Sequence, residues 1–351
     1  MKLIIKKLPI IVLIFSFSFL SIPHNSSTSE KFIEDYGIIV LMYHRFEENK
    51  YPSTNTKIAN FKNQLNLIKE EKIKFINPYQ FNQNLIDQTN LRKVMITIDD
   101  AFSSFYENAW PIIKDRKIPI ILFVSTREVG KKGYMTWEQI REISKENFVH
   151  IGNHSHTHEY LIDYSLNQIK EDLLKSISTF KKEIGYNSNF FSYPFGEYSL
   201  EFKNLVRELG FTYAFGQHSG VIDLTKDKFE LPRFPINEKY GEIKRFKTLL
   251  KTLPFKYKKI IPEEKYINDK TNPPNIIVEF EKMNSNLKNI NCFSNEEGQW
   301  RNSKIIFLND FTINIKLQGK FTTERGRVNC SLREPDGSWR WLGIQFVISN
   351  R

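Results

Sequence analysis

Two acids stand side by side at Asp99 and Asp100, directly after an apolar run at residues 94–98. Adjacent carboxylates repel each other and gain nothing from packing, so a positive group is expected nearby, most simply a metal ion. Downstream, residues 151–158 read Ile-Gly-Asn-His-Ser-His-Thr-His, which places His154 and His158 four apart. On one helical turn such a pair points the same way and can chelate one ion. With one carboxylate the two imidazoles would form a two-His, one-Asp site that leaves positions open for water and substrate. Two nitrogen donors favour zinc or another first-row divalent ion, cobalt and nickel included, over calcium or magnesium. The second acid is then free to take a proton from a water whose pKa the ion lowers toward about 7. His156, between the two, faces the other way and reads as a non-ligand. A lone His-x-x-x-His is weak evidence. Coupled to an Asp-Asp strand end and an export signal, it outweighs the ordinary alternatives of a helix-capping acid pair and solvated loop histidines.

The elements that must position these residues alternate. Apolar β-type runs occur at 37–44, 94–98, 119–124, 148–151 and 189–196, with short late ones at 213–215 and 229–231. Helical spacing occupies 61–72, 79–86, 103–115, 136–143, 165–184 and 200–209, with Thr136 as an N-cap and Gly185 and Gly210 as stops. This is an α/β pattern: a parallel sheet with helices outside, open or closed into a barrel. The candidate residues all follow strands, at the C-terminal ends where such folds keep their sites. Near residue 253 the character changes. Residues 253–275 are charged and contain Asn-Pro-Pro-Asn, a linker signal, and 276–351 read as a small antiparallel β-domain with a hairpin turn at Asp336-Gly337.

The chain has 351 residues, 40% of them hydrophobic, and a formal charge of +11. It can bury a large core, and the positive charge suits either an anionic polymer or membrane surface or a Lys-rich solvated exterior. No zinc-finger spacing or arginine-rich tract points to nucleic acid. Residues 1–29 have the basic, apolar and polar order of a secretory signal, so the protein is expected to be exported: periplasmic, extracellular, or held at the membrane by an uncleaved segment. Cys292 and Cys330 either pair as one disulfide or remain separate buried thiols.

Residues 97–102, Thr-Ile-Asp-Asp-Ala-Phe, resemble the Thr-Phe-Asp-Asp-Gly motif of the polysaccharide deacetylase family, the NodB-like carbohydrate esterases. Residues 153–158 resemble that family's His-Ser/Thr-x-x-His motif, 193–196 its Arg-x-Pro-Tyr motif, and 40–44 its opening strand. The resemblance covers about 37–235. It implies a distorted (β/α) barrel over 30–252 and metal-dependent removal of acetyl groups from N-acetylated sugars. It assigns Asp99 as general base and Asp100, His154 and His158 as metal ligands. Three departures matter. Ala101 replaces a Gly. Ser192 stands where many members carry the Arg that orients the base, a loss shared by deacetylases of poly-N-acetylglucosamine. Phe195 replaces a Tyr, although its backbone N–H can still serve an oxyanion. His218 is the candidate general acid. His44, Tyr193 and Arg233 are candidates for the substrate side, with Arg233 also able to pair with Asp99 in place of the missing Arg. Trp300, Trp339 and Trp341 fit a β-domain burying its own tryptophans better than a sugar-stacking surface. The expected substrates are N-acetylglucosamine polymers: poly-N-acetylglucosamine, chitin-like or peptidoglycan. The reading from another class is a non-catalytic glycan-binding protein on a degenerate barrel.

Overall fold

A computed structural model describes residues 36–87, 89, 91–282 and 286–348. The expected export segment, 1–29, lies outside them. Among the described residues no helix is long and apolar enough to cross a membrane.

The sheet is built from the apolar runs. Strands β1 (Ile38–Tyr43), β2 (Lys93–Ile98), β3 (Ile120–Val124), β4 (Val149–Asn153), β5 (Phe190–Ser192) and β6 (Tyr213–Phe215) are buried along their whole length. Runs apolar on both faces suit a parallel sheet covered on both sides. The order is β1-β2-β3-β4-β5-β6, every neighbouring pair parallel. Two short strands flank β1: β7 (Val221–Ile222) antiparallel to it and β8 (Phe234–Pro235) parallel. The result is the parallel sheet that the strand–helix alternation implied, curled as the family resemblance implied. The expected strand at 229–231 is absent: only Leu231 bridges, to Phe215.

Helices α1 (Ile58–Glu70), α2 (Phe81–Ile86), α3 (Trp110–Arg116), α4 (Trp137–Ile143), α5 (Leu166–Ile184), α6 (Leu200–Glu208) and α7 (Ile243–Leu249) accompany the sheet. Helix α5 shows why the boundaries fall where they do. Ser165 and Gln168 form a capping box, and Gly185 ends the helix at φ +84°, a conformation glycine takes without a Cβ clash. Its buried stripe is Ile169, Asp172, Leu173, Ser176 and Phe180. Two polar residues on that apolar stripe are used by the loop after β4.

Residues 253–275, expected as a linker, are built into the fold instead. They carry most of β9 (Thr252–Pro254), and β10 (Tyr257–Ile261) and β11 (Tyr266–Ile267). Beyond them come β12 (Ile276–Phe280), β13 (Asn291–Ser294), β14 (Arg301–Asn302), β15 (Lys304–Asn309), β16 (Thr312–Lys316), β17 (Arg325–Arg333) and β18 (Trp339–Ile348). One sheet runs β9-β18-β17-β13-β14 with β11 also on β18, the other β10-β12-β16-β15. Pairing is antiparallel except where β9 and β11 join β18. Alternating residues from both sheets, among them Val278, Ile313, Val328 and Ile344, share one core. Cys292 and Cys330 are directly opposed on β13 and β17 and form a disulfide.

This β-region and the barrel belong to one compact unit. The Gly343 N–H donates to the Ser219 carbonyl at 2.6 Å, and a Cβ at Gly343 would fall 2.6 Å from Ser219 backbone atoms. Only glycine allows β18 that close to the barrel. Gln345 donates to the Gly196 carbonyl at 3.2 Å, and Trp341 packs edge-on against Phe234.

Candidate active site

Asp99 and Asp100 follow the end of β2 and take different partners. Asp100 and Ala101 both have positive φ, +74° and +54°, which turns the chain sharply after the strand. A residue without a Cβ would take the second of these freely, which is a physical reason for glycine in the motif that Ala101 departs from. Asp99 is fully buried. Arg233, also fully buried, clamps it: Nη1 donates to Oδ1 at 2.7 Å and Nη2 to Oδ2 at 2.9 Å. The same guanidinium donates through Nη2 to Ser192 Oγ at 2.8 Å, through Nε to the Gly216 carbonyl at 3.0 Å and through Nη1 to Thr97 Oγ1 at 3.2 Å. Ser192 Oγ donates in turn to Asp99 Oδ2 at 3.4 Å. Arg233 therefore supplies the missing cation from after β6 and fills space that a small Ser192 leaves. Burial would raise the Asp99 pKa, but Arg233 first, then His154, hold it below the usual carboxylate value.

Asp100 faces the two histidines. Its Oδ1 lies 3.4 Å from His154 Nε2 and 3.1 Å from His158 Nε2. One donor atom from each of the three residues lies within 4.8 Å of the others. His154 Nδ1 is 2.6 Å from the Ser192 carbonyl. A carbonyl only accepts, so Nδ1 carries the hydrogen and Nε2 presents its lone pair to Asp100. The Asp100 pKa lies well below normal: burial opposes ionisation, but the charge of His158 overcomes it. An ionised carboxylate and two imidazole nitrogens turned to one point fit a divalent metal ion, and the locked tautomer of His154 fits it further.

The two histidines do not share a helical turn. His154 directly follows β4, and the chain then makes an irregular loop with Ser155 at φ +70° and His158 at +53°. Asp172 of α5 holds that loop by accepting from the His156 and Thr157 N–H groups at 2.7 and 3.0 Å. Ser176 donates to Asn153 Oδ1 at 2.9 Å. Neither residue was singled out from the sequence, although a polar pair on the apolar stripe of α5 was a visible signal. His156 turns away to Thr126 Oγ1 at 2.7 Å.

The remaining candidates divide. His44 follows β1 and borders the site: burial lowers its pKa, while the charges of Asp99 and Asp100 oppose the shift. Phe195 sits in the turn after β5 with φ +58°, its ring 4.8 Å from that of His158. Its N–H is one of the orphan donors at the start of a short helical turn. His218 departs from expectation. Its pKa is pushed down to about 3 by burial, then by Lys265, and the acids of the site are not among the charges acting on it. Tyr193 is fully buried among Phe191, Tyr198 and Phe202, with its hydroxyl on the Phe229 carbonyl at 3.0 Å. It is a core residue because it points to the helix side of the sheet. Arg233, sealed against Asp99, does not face a substrate.

Residues 87–214 match the family model for polysaccharide deacetylase. The poly-beta-1,6-N-acetyl-D-glucosamine N-deacetylase of Staphylococcus aureus is 24% identical over 233 residues, covering 58% of this chain and 80% of that protein. Among solved structures, IcaB from Ammonifex degensii is similar with a TM-score of 0.57 at 23% identity, covering 62% of this chain and 98% of that one. The Streptococcus pyogenes deacetylase PplD, in complex with acetate, is similar with a TM-score of 0.56 at 21% identity, covering 61% and 98%. The matched segment holds the paired acids, both histidines and the turn at Phe195. Residues 87–214 are thus a segment similar to the polysaccharide deacetylase family, set on a fold shared with solved deacetylases.

Proposed function

We propose that the protein is an exported, metal-dependent hydrolase that removes N-acetyl groups from N-acetylglucosamine-containing polysaccharide. The observation that carries this reading is the pairing of two environments 4.0 Å apart, Asp99 Oδ2 and His154 Nε2. One acid is ionised and held by Arg233. Beside it, another acid and two imidazoles converge. Asp100, His154 and His158 would hold the ion, with zinc favoured by the nitrogen donors. When bound, such an ion polarises a carbonyl and makes water acidic enough to attack near neutral pH.

The chain's own groups supply the rest. Asp99 takes the proton of the attacking water. It remains a competent base because Arg233 and Ser192 leave one lone pair of Oδ1 open. The Phe195 N–H donates to the oxygen that gains charge as the acetamide carbonyl becomes tetrahedral. His44, which lies among the charges of the paired acids, gives a proton to the departing amine. No hydrogen bond engages its ring among the described residues, and it lies on the open side of the site. Acetate and a glucosamine unit result. Poly-N-acetylglucosamine, chitin-like and peptidoglycan strands all present the required group.

Zinc-loaded protein is expected to release acetate from at least one of these polymers, and a chelator should abolish release. Asp99→Asn should lower the rate by about 10²- to 10⁴-fold while leaving bound zinc unchanged. Absence of acetate release from every polymer would overturn the reading.

A further inference from the structure

The β-region closes one side of a cleft of about 570 Å³ whose other side is the barrel. His44 lines this cleft and also feels the charges of Asp99 and Asp100, so cleft and site are continuous. Arg245 comes from α7 and Arg325 and Arg327 from β17, and no Asp or Glu is among the lining residues. Arg325 is anchored on buried Glu197 at 2.7 Å, beside the turn that carries Phe195. Arg327 reaches only Gln345 Oε1 at 3.5 Å, and Arg245 the Tyr240 carbonyl. Neither has a carboxylate partner among the described residues. Arg327 is open to solvent, and the charge of Arg325 lies beside it. Two aromatic side chains on the same wall are open to solvent, Trp300 at 53% and Phe293 at 43%.

Unpaired guanidinium groups beside exposed aromatic faces suit a sugar chain that carries negative charge. A neutral N-acetylglucosamine polymer offers nothing to offset them. The deacetylated product is cationic and would be repelled, which favours its release. IcaB is covered over 98% of its length by 62% of this chain, so this chain has material beyond a bare deacetylase domain. We propose that the β-region makes the enzyme selective for an acidic glycan, with Arg245 and Arg327 binding a carboxylate or phosphate substituent near the acetamide that is cleaved. This rests on the deacetylase reading above.

The test uses the full zinc-loaded chain and three glycans of equal length. One is neutral, one bears lactyl carboxylates as in peptidoglycan strands, and one bears phosphate. The acidic glycans should be deacetylated with kcat/KM at least about tenfold above the neutral one, and the advantage should shrink with added salt. Whichever acidic glycan leads identifies the substituent. Arg327→Gln and Arg245→Gln should each raise KM for it about tenfold, with kcat kept and the neutral glycan unaffected. Equal rates on neutral and acidic glycans, or equal losses on both, would overturn the selectivity while leaving deacetylation intact. Binding of the same glycans to chelated protein, by calorimetry, separates the two proposals. If no glycan loses acetate but the acidic ones bind through Arg327 and Arg245, the hydrolase reading falls and the cleft assignment stands. Equal binding of neutral and acidic glycans would overturn the cleft assignment whatever the rates.

Discussion

Both halves of this molecule bury charge, and they do so differently. In the β-region, buried polar groups close on themselves. Glu296 accepts from the Gln318 and Gly319 N–H groups at 2.6 Å each and from Ser294 Oγ, and Arg340 meets Glu334 and the Pro254 carbonyl. Every lone pair used there ties one loop or strand to another. At the C-terminal end of the barrel sheet, the charges converge on a point instead. Asp99 is locked, but Asp100, His154 and His158 turn their donor atoms toward one another without another chain group between them. Buried polar groups that complete each other stabilise a fold. Polar groups whose donor atoms converge on one point are arranged to hold an ion.

The comparison can be broken from either side. The largest effect is expected at Arg233. Arg233→Gln leaves a buried carboxylate with its main partner gone, which costs about 3–5 kcal/mol and most of the activity. The double variant Arg233→Gln/Asp99→Asn removes the unpaired charge and should recover much of the melting temperature but none of the acetate release. If the single variant melts like the parent, Asp99 is not held as described. A smaller effect is expected in the β-region. Replacing Cys292 and Cys330 together by Ala should lower stability by about 4 kcal/mol, since the bond spans 38 residues. Zinc content and kcat should not change. Loss of zinc in that variant would show that the two halves are not separable in this way.

The smallest effect sharpens the metal reading. The His158 pKa is raised: burial would lower it, but Asp100 outweighs burial. In metal-free protein, its charged form therefore stabilises the fold fully below the unfolded imidazole value of about 6.5. That contribution fades as pH climbs through the raised folded value. A metal must displace the proton, so zinc affinity should fall on acidification, by up to about tenfold per pH unit below the folded value. Zinc titrations between pH 6 and 8 measure this slope. A flat profile would remove His158 from the ligand set.

Much of the fold could be read from the linear pattern. Residues 94–98 are apolar and β-branched with a single Thr, and they became a fully buried strand. Ser165, Gln168 and Gly185 bracket a helix by local hydrogen bonding alone. The spacing of 253–275 misled, because Pro and charge signal a linker only when no neighbouring strand needs an edge partner. Here β18 accepts both β9 and β11. The His-x-x-x-His spacing pointed to two residues whose rings do come together, but not on one helical turn. The residues meet through a loop with two left-handed positions, pinned by Asp172.

What the chain dictated by itself is the chemistry on offer: two adjacent acids, two spaced imidazoles, and strands that end just before them. These are local facts, set by residue type and short-range hydrogen bonding. Which acid is locked, which arginine locks it, and which histidine borders the open side were decided by folding. Arg233 reaches Asp99 across 134 positions of sequence, and Arg325 of the β-region reaches Glu197 across 128. Side chains that far apart are brought together only by the curl of the sheet and the docking of one layer on another, and no local spacing encodes either.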